Sequence, residues 1–160
     1  MYYFAYGSNM PLERLLSRGL TPRATVGVGH LEHWRLQFNK KSYKNPEVGF
    51  ANIEPHWGGE VFGVIYGVSD EDIKLLDRFE GYPKHYQRTS LKVKWASGDS
   101  YYDCVTYIAN RKWTTSKPLT ITEDYKGYIN SGISEHIART PFTEQYRMDL
   151  QILMEKQNVG

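Results

Sequence analysis

One cysteine, Cys104, is the only thiol in 160 residues, so internal disulfides and every cysteine-cluster metal site are excluded. It falls in a stretch that reads as a strand, with no basic neighbour, so a buried structural thiol is expected. Charge of one sign is also scarce. Twenty Lys and Arg stand against 18 Asp and Glu, a net charge of +2, too small to imply a nucleic acid or another polyanion as partner. Long apolar runs are missing too. The longest, Val61 to Val68, is interrupted by Gly63 and Gly67, far short of the roughly 20 residues that span a bilayer. The first residues, Met1-Tyr2-Tyr3-Phe4, carry no basic region ahead of an apolar one, and no small-residue cleavage site follows. A cytoplasmic protein that makes no use of a membrane is the expectation. Walker A, dinucleotide-glycine, Gly-x-Ser-x-Gly and His-Glu-x-x-His motifs are all lacking.

What is present describes an ordinary globular chain. Hydrophobic residues make up 40%, charged residues 24%, and mean hydropathy is −0.59. No repeat, linker or low-complexity tract divides it, so one domain over residues 1–160 is expected, large enough to need no metal or disulfide staple. Tyrosine stands out, 13 against 6 phenylalanines. Rings that carry a hydroxyl suit a wet, polar-lined cavity, and equally a tyrosine-rich sheet.

Strand signals dominate the first two-thirds. Tyr2–Tyr6, Ala24–Leu31, Trp34–Phe38, Gly49–Ile53, Glu60–Gly67, Tyr86–Trp95 and Tyr101–Ala109 read as strands, the last two joined by a turn at Ser97-Gly98-Asp99-Ser100. Pro11 opens a short helix that carries Leu12, Leu15 and Leu16. Ser69 and Asp72 form the start of a second, which Gly81 and Pro83 stop. Helical spacing takes over around Ile121–Ile133 and Thr143–Lys156. The fold class is therefore α+β, a small mixed β-barrel-like sheet with flanking helices. His30 and His33 lie in strand or turn and predict no metal site. Lys40, Lys41 and Lys44 read as a solvated loop.

Two segments carry chemistry. Tyr6-Gly7-Ser8-Asn9-Met10 runs from a strand through a tight turn into a helix start. Gly7 allows a positive φ or close approach to bare backbone, and the turn's N–H groups could form an anion-binding nest. The same residues would also serve as a plain turn with Ser8 or Asn9 as helix cap. In Leu76-Asp77-Arg78-Phe79-Glu80-Gly81, Glu80 shares a helical face with Ile73 and Leu76 and sits in the last turn. The helix dipole and partial burial both push such a carboxyl's pKa upward, which suits a general acid and base near neutrality. An exposed helix-end glutamate fits the spacing as well.

Together the two segments resemble the γ-glutamylcyclotransferase superfamily. Phe4-Ala5-Tyr6-Gly7-Ser8-Asn9-Met10 resembles its substrate-binding loop and Leu76-Asp77-x-x-Glu80-Gly81 its catalytic segment. Gly49–Ile53 and Gly59–Tyr66 are similar to its central strands, and Tyr125, Ile129 and Gly132 to its late helix. The resemblance implies a small α+β barrel. It also implies a transferase or lyase, free of metal and cofactor, that cyclises a small-molecule γ-glutamyl substrate to 5-oxoproline and releases an amine or amino acid. It casts Glu80 as the catalytic proton carrier, Gly7, Ser8 and Asn9 as holders of a carboxylate or oxyanion, and Tyr6 as support at the base of the loop. Tyr86 and Tyr125 would donate hydrogen bonds to substrate. Phe79 to Arg88 resembles the γ-glutamylamine branch, whereas Tyr6-Gly7-Ser8-Asn9 resembles the γ-glutamyl dipeptide branch. Asn9 departs from the Gly-Ser-Leu of the glutathione branch, and a further relative removes a γ-glutamyl group from an aminoglycoside precursor. The leaving group stays open, as does the oligomeric state. Two other functions stay open beside it: an acyl transferase or amidase with Ser8 as nucleophile, and a non-catalytic small-molecule-binding module.

Overall fold

Alternating apolar residues build five strands, which close on themselves. A computed structural model of the chain describes residues 1–138 and 141–158. The strands are β1 (Tyr2–Ala5), β2 (Ala24–Lys41), β3 (Gly49–Gly67), β4 (Tyr86–Trp95) and β5 (Tyr101–Ala109), in the barrel order β1-β3-β2-β4-β5. Only β1 and β5 pair parallel, through Tyr2 with Cys104 and Tyr3 with Val105, and this pairing closes the barrel. The other neighbours run antiparallel. The helices are α1 (Leu12–Ser17), α2 (Asp70–Glu80), α3 (Glu123–Gly132) and α4 (Pro141–Asn158), with a 3-10 turn at Arg111–Trp113 and a π-helical turn at Ile133–Ile137.

The barrel interior is filled by the ring of Phe4, which is fully buried and so contributes roughly 1.5–3 kcal/mol. Glycines on two other strands make room for it. A Cβ at Gly63 would lie 2.8 Å from the Phe4 ring, and one at Gly29 would lie 3.0 Å from it. Cys104 is fully buried, and burial pushes its thiol pKa up to about 12.

The caps of α2 are those its sequence predicts. Ser69 Oγ accepts from Asp72 N–H and Asp72 Oδ2 accepts from Ser69 N–H, each at 3.1 Å. Gly81 ends the helix in the left-handed conformation at φ 63°. Strands β4 and β5 have the predicted bounds. The two pairs of shorter strands expected before them are instead two continuous ones. His33, at φ 65°, and residues 56–59 on the facing strand form an irregularity within one ladder, so the polar interruption is a bulge and not a loop. In the last third, Ile129, Ile133 and Ile137 bury one face of α3 and its extension, and Tyr146, Leu150 and Met154 bury one face of α4. A Cβ at Gly132 would meet that of Met10 at 2.4 Å, so the glycine lets α3 close on the chain just before α1. Among the described residues no helix is long and apolar enough to cross a membrane.

Candidate active site

The end of β1, the start of α1, the end of α2 and the N-terminus of α3 converge on a cavity of about 450 Å³. All seven residues singled out from sequence line it: Tyr6, Gly7, Ser8, Asn9, Glu80, Tyr86 and Tyr125.

Glu80 is the last residue of α2, and the left-handed turn at Gly81 carries the chain away from it. Its Oε1 accepts from Asn9 Nδ2 at 3.3 Å. The same amide nitrogen donates to Tyr3 Oη at 3.1 Å, and Asn9 Oδ1 accepts from Arg18 Nη1 at 2.9 Å. Asn9 is buried and every polar atom of its side chain is engaged. It therefore fixes the carboxylate's position and does not cap α1, whose N-cap is Pro11 without a side-chain bond. Burial raises the Glu80 pKa. The charges of Arg18, Lys40 and Arg14 and the hydrogen bond from Asn9 pull it down without cancelling the rise.

The loop before α1 is closed by Met10 N–H donating to Gly7 O at 3.1 Å. The N–H groups of Ser8 and Asn9 have no protein acceptor among the described residues, so they are available to an anion. Gly7 does not adopt a positive φ. Its lack of a side chain serves close approach, since a Cβ there would stand 3.2 Å from Ala51 Cβ and 3.4 Å from Tyr125 Oη.

The tyrosines are engaged with the scaffold. Tyr6 Oη donates to Tyr107 O at 2.5 Å and Tyr86 Oη donates to Ala51 O at 2.8 Å. A phenol has one proton, and in this structure that of Tyr86 goes to the Ala51 carbonyl. Tyr125 Oη accepts from Ala51 N–H at 2.9 Å, and Ser8 lines the cavity with it. Burial pushes the Tyr125 pKa up to about 12 and raises those of Tyr6 and Tyr86, so all three remain neutral.

Sequence reasoning missed the cations. Arg14 on α1 and Arg18 at its C-cap stand four apart, a spacing that turns both toward one side, and that was a legible signal. The Arg18 guanidinium lies 4.7 Å from the centre of the Phe79 ring and that of Arg14 lies 3.9 Å from the centre of Tyr128. Lys40 corrects the expectation of a solvated loop, because it lies within β2, one residue before its end, and is only 3% exposed. Its sequence neighbourhood gives no hint of this. His30 stacks on Phe62 and His33 on Trp57. Among the described residues no three His, Cys, Asp or Glu side chains group as metal ligands.

The sequence model of the family described as "Gamma-glutamyl cyclotransferase, AIG2-like" matches residues 3–127. The chain belongs to that family. Its members include cyclotransferase enzymes. Human γ-glutamylcyclotransferase is 34% identical over 138 residues, covering 84% of this chain and 70% of that protein. Rat γ-glutamylaminecyclotransferase is 32% identical over 81 residues, 49% of this chain and 54% of the relative. A match to the bovine γ-glutamylcyclotransferase spans 43% of that protein's length. A solved structure named "Gamma-glutamyl cyclotransferase" superposes with a TM-score of 0.76 at 27% identity, covering 92% of this chain and 86% of that one. The α+β barrel is thus the family fold.

Proposed function

We propose that this chain is a γ-glutamyl cyclotransferase in which Glu80 moves the proton between the two nitrogens of the reaction. The observation that supports this most is the setting of Glu80. One carboxyl with a raised pKa is held by Asn9 beside the free N–H groups of Ser8 and Asn9, in a cavity sized for a small molecule.

The substrate's α-amino nitrogen attacks its own γ-amide carbon. Glu80, as carboxylate, accepts a proton from the α-ammonium, and a C–N bond closes the five-membered ring. The developing oxyanion or the glutamyl carboxylate lies against the N–H groups of the Gly7–Asn9 loop. Glu80 then gives its proton to the amide nitrogen and the second C–N bond breaks. The ring nitrogen, still cationic after its attack, gives up a second proton, which Glu80 passes to the freed amine, so 5-oxoproline leaves beside an ammonium and the carboxyl returns to its starting state. Because the nucleophile is part of the substrate, holding the chain curled is worth an effective molarity of up to ~10⁵–10⁸ M. The steps as written draw on no metal or cofactor.

Ser8 as a covalent nucleophile gains no support. Such a nucleophile needs an activating base, and Tyr125, which lines the cavity with Ser8, is held protonated by burial.

The test is release of 5-oxoproline, comparing wild type with Glu80→Gln. The panel holds a γ-glutamyl dipeptide, a γ-glutamylamine, glutathione and a γ-glutamylated aminoglycoside. Wild-type release that falls ~10²–10⁴-fold in the variant, with the fold intact, is the expected outcome. A variant that keeps more than about a tenth of wild-type turnover overturns the role of Glu80, since general acid–base catalysis is worth more than that. Binding of a panel member without release would point to the non-catalytic module.

A further inference from the structure

The ammonium of Lys40 is the buried charge that this mechanism leaves unused. Its Nζ donates to Lys41 O at 2.7 Å and lies 3.2 Å from His85 Nδ1. That is two of an ammonium's three donors. Among the described residues it forms no ion pair with a carboxylate. Around it stand the rings of Tyr86 and Trp113, each 5.3 Å from Nζ, and Phe50 at 5.9 Å. Cation–π contact offsets part of the cost of burial. An ammonium held in such a place without a counter-ion is still expensive. Glu80 acts on it through space without reaching ion-pair distance, and burial together with Lys41 lowers its pKa to about 8.

The position of this charge relative to the reaction is what gives it meaning. Glu80 is acted on by cations from two separate parts of the chain, Arg14 on α1 with Arg18 at its C-cap, and Lys40 near the end of β2. The first group adjoins the Gly7–Asn9 loop through the bond from Arg18 to Asn9. That side belongs to the glutamyl half of the substrate. The proton that Glu80 delivers goes to the scissile nitrogen. In an α-amino acid leaving group a carboxylate sits two bonds from that nitrogen, and Lys40, which lines the same cavity as Glu80 from a different element, offers it a cation. An amine leaving group has nothing to place there. A polycationic one would meet a cavity lined by Arg14, Arg18, Lys40, Lys44 and Arg78, against Glu80 as the sole acidic side chain among the described residues.

We propose that Lys40 is a specificity-determining residue that binds a carboxylate on the leaving group, so that γ-glutamyl α-amino acids are preferred over γ-glutamylamines. This rests on the cyclotransferase reading above. The test uses two substrates that differ only in the carboxylate, γ-glutamylalanine and γ-glutamylethylamide. The readout is the ratio of their kcat/KM values. A charged hydrogen bond is worth about 10- to 100-fold, so wild type should favour the alanine compound at least that much, about tenfold or more. Lys40→Gln should bring the ratio close to one, and Lys40→Arg should retain part of the preference. Equal use of both substrates by wild type overturns the proposal. So does a Lys40→Gln variant that slows both equally, because Lys40 would then serve the glutamyl half or the scaffold. If Lys40→Gln fails to fold, the wild-type ratio and that of Lys40→Arg decide. If neither substrate yields 5-oxoproline, the cyclotransferase reading is decided by the full panel above, and calorimetric binding of the same pair decides separately for Lys40. Tighter binding of the alanine compound, lost in Lys40→Gln, keeps the assignment, whereas equal or absent binding removes it.

Discussion

Asp77 and Glu80 stand three residues apart on one helix and meet opposite surroundings. Asp77 accepts from Tyr107 Oη at 2.7 Å and from Arg88 Nη1 at 3.0 Å, which ties α2 to β5 and β4. Glu80 receives one long hydrogen bond from an amide and no ion pair among the described residues, although Arg18, Arg14 and Lys40 all bear on it. The first carboxylate is matched and serves the scaffold. The second is left with unused capacity at a raised pKa, the state a proton carrier needs. Lysines differ in the same way. Lys92, on β4, is exposed and paired with Asp103 at 3.0 Å, whereas Lys40 is buried without a carboxylate. In both pairs the unmatched member lines the cavity and the matched one does not.

Exchanging the two carboxylates for their amides is the strongest way to break this comparison. Glu80→Gln keeps the acceptor for Asn9 and removes the proton carrier, so turnover should fall ~10²–10⁴-fold with little change in the circular dichroism spectrum. Asp77→Asn should leave kcat/KM near wild type and lower stability by about 1–2 kcal/mol in urea, through its loosened contacts to Tyr107 and Arg88. Large activity loss in Asp77→Asn with unchanged stability would erase the distinction.

Asn9→Ala sharpens it. The Asn9 hydrogen bond lowers the Glu80 pKa, so its removal should shift the acid limb of kcat/KM to higher pH. Loss of orientation should also reduce kcat/KM by about 10-fold. An unmoved acid limb would show that Asn9 does not act on Glu80. In wild type that limb should already lie above the ordinary carboxylate value of 4.5, because the catalytic form is the anion and burial opposes it.

The smallest effect concerns stability. A folded pKa raised above the unfolded one means the native state holds its proton longer. Wild type should therefore lose stability relative to Glu80→Gln as pH rises from the unfolded value through the folded one. Paired thermal melts at pH 4 and 8 measure this, and a wild-type Tm that does not fall relative to that of Glu80→Gln between the two would contradict the raised pKa.

Local chemistry was legible wherever partners lie within a turn or along one strand. The capping box at Ser69 and Asp72, the stop at Gly81, the bounds of β4 and β5 and the buried Cys104 all follow from such patterns. The candidate site was legible as two short motifs, and the structure gathers every residue chosen from them around one cavity. The continuity of β2 and β3 was not legible, because a bulge at His33 looks in sequence like a break.

By itself, then, the sequence determined a single-cysteine, α+β chain with its family motifs, because alternation, caps and turn residues act over a few positions. Only the tertiary structure decided what the polar groups do. Asn9 meets Glu80 across 71 positions, Tyr6 donates to a carbonyl 101 positions away, and Lys40 reaches His85 across 45. Such partners are set by which strands adjoin when the barrel closes. Whether a charge is matched or left waiting depends on that closure alone.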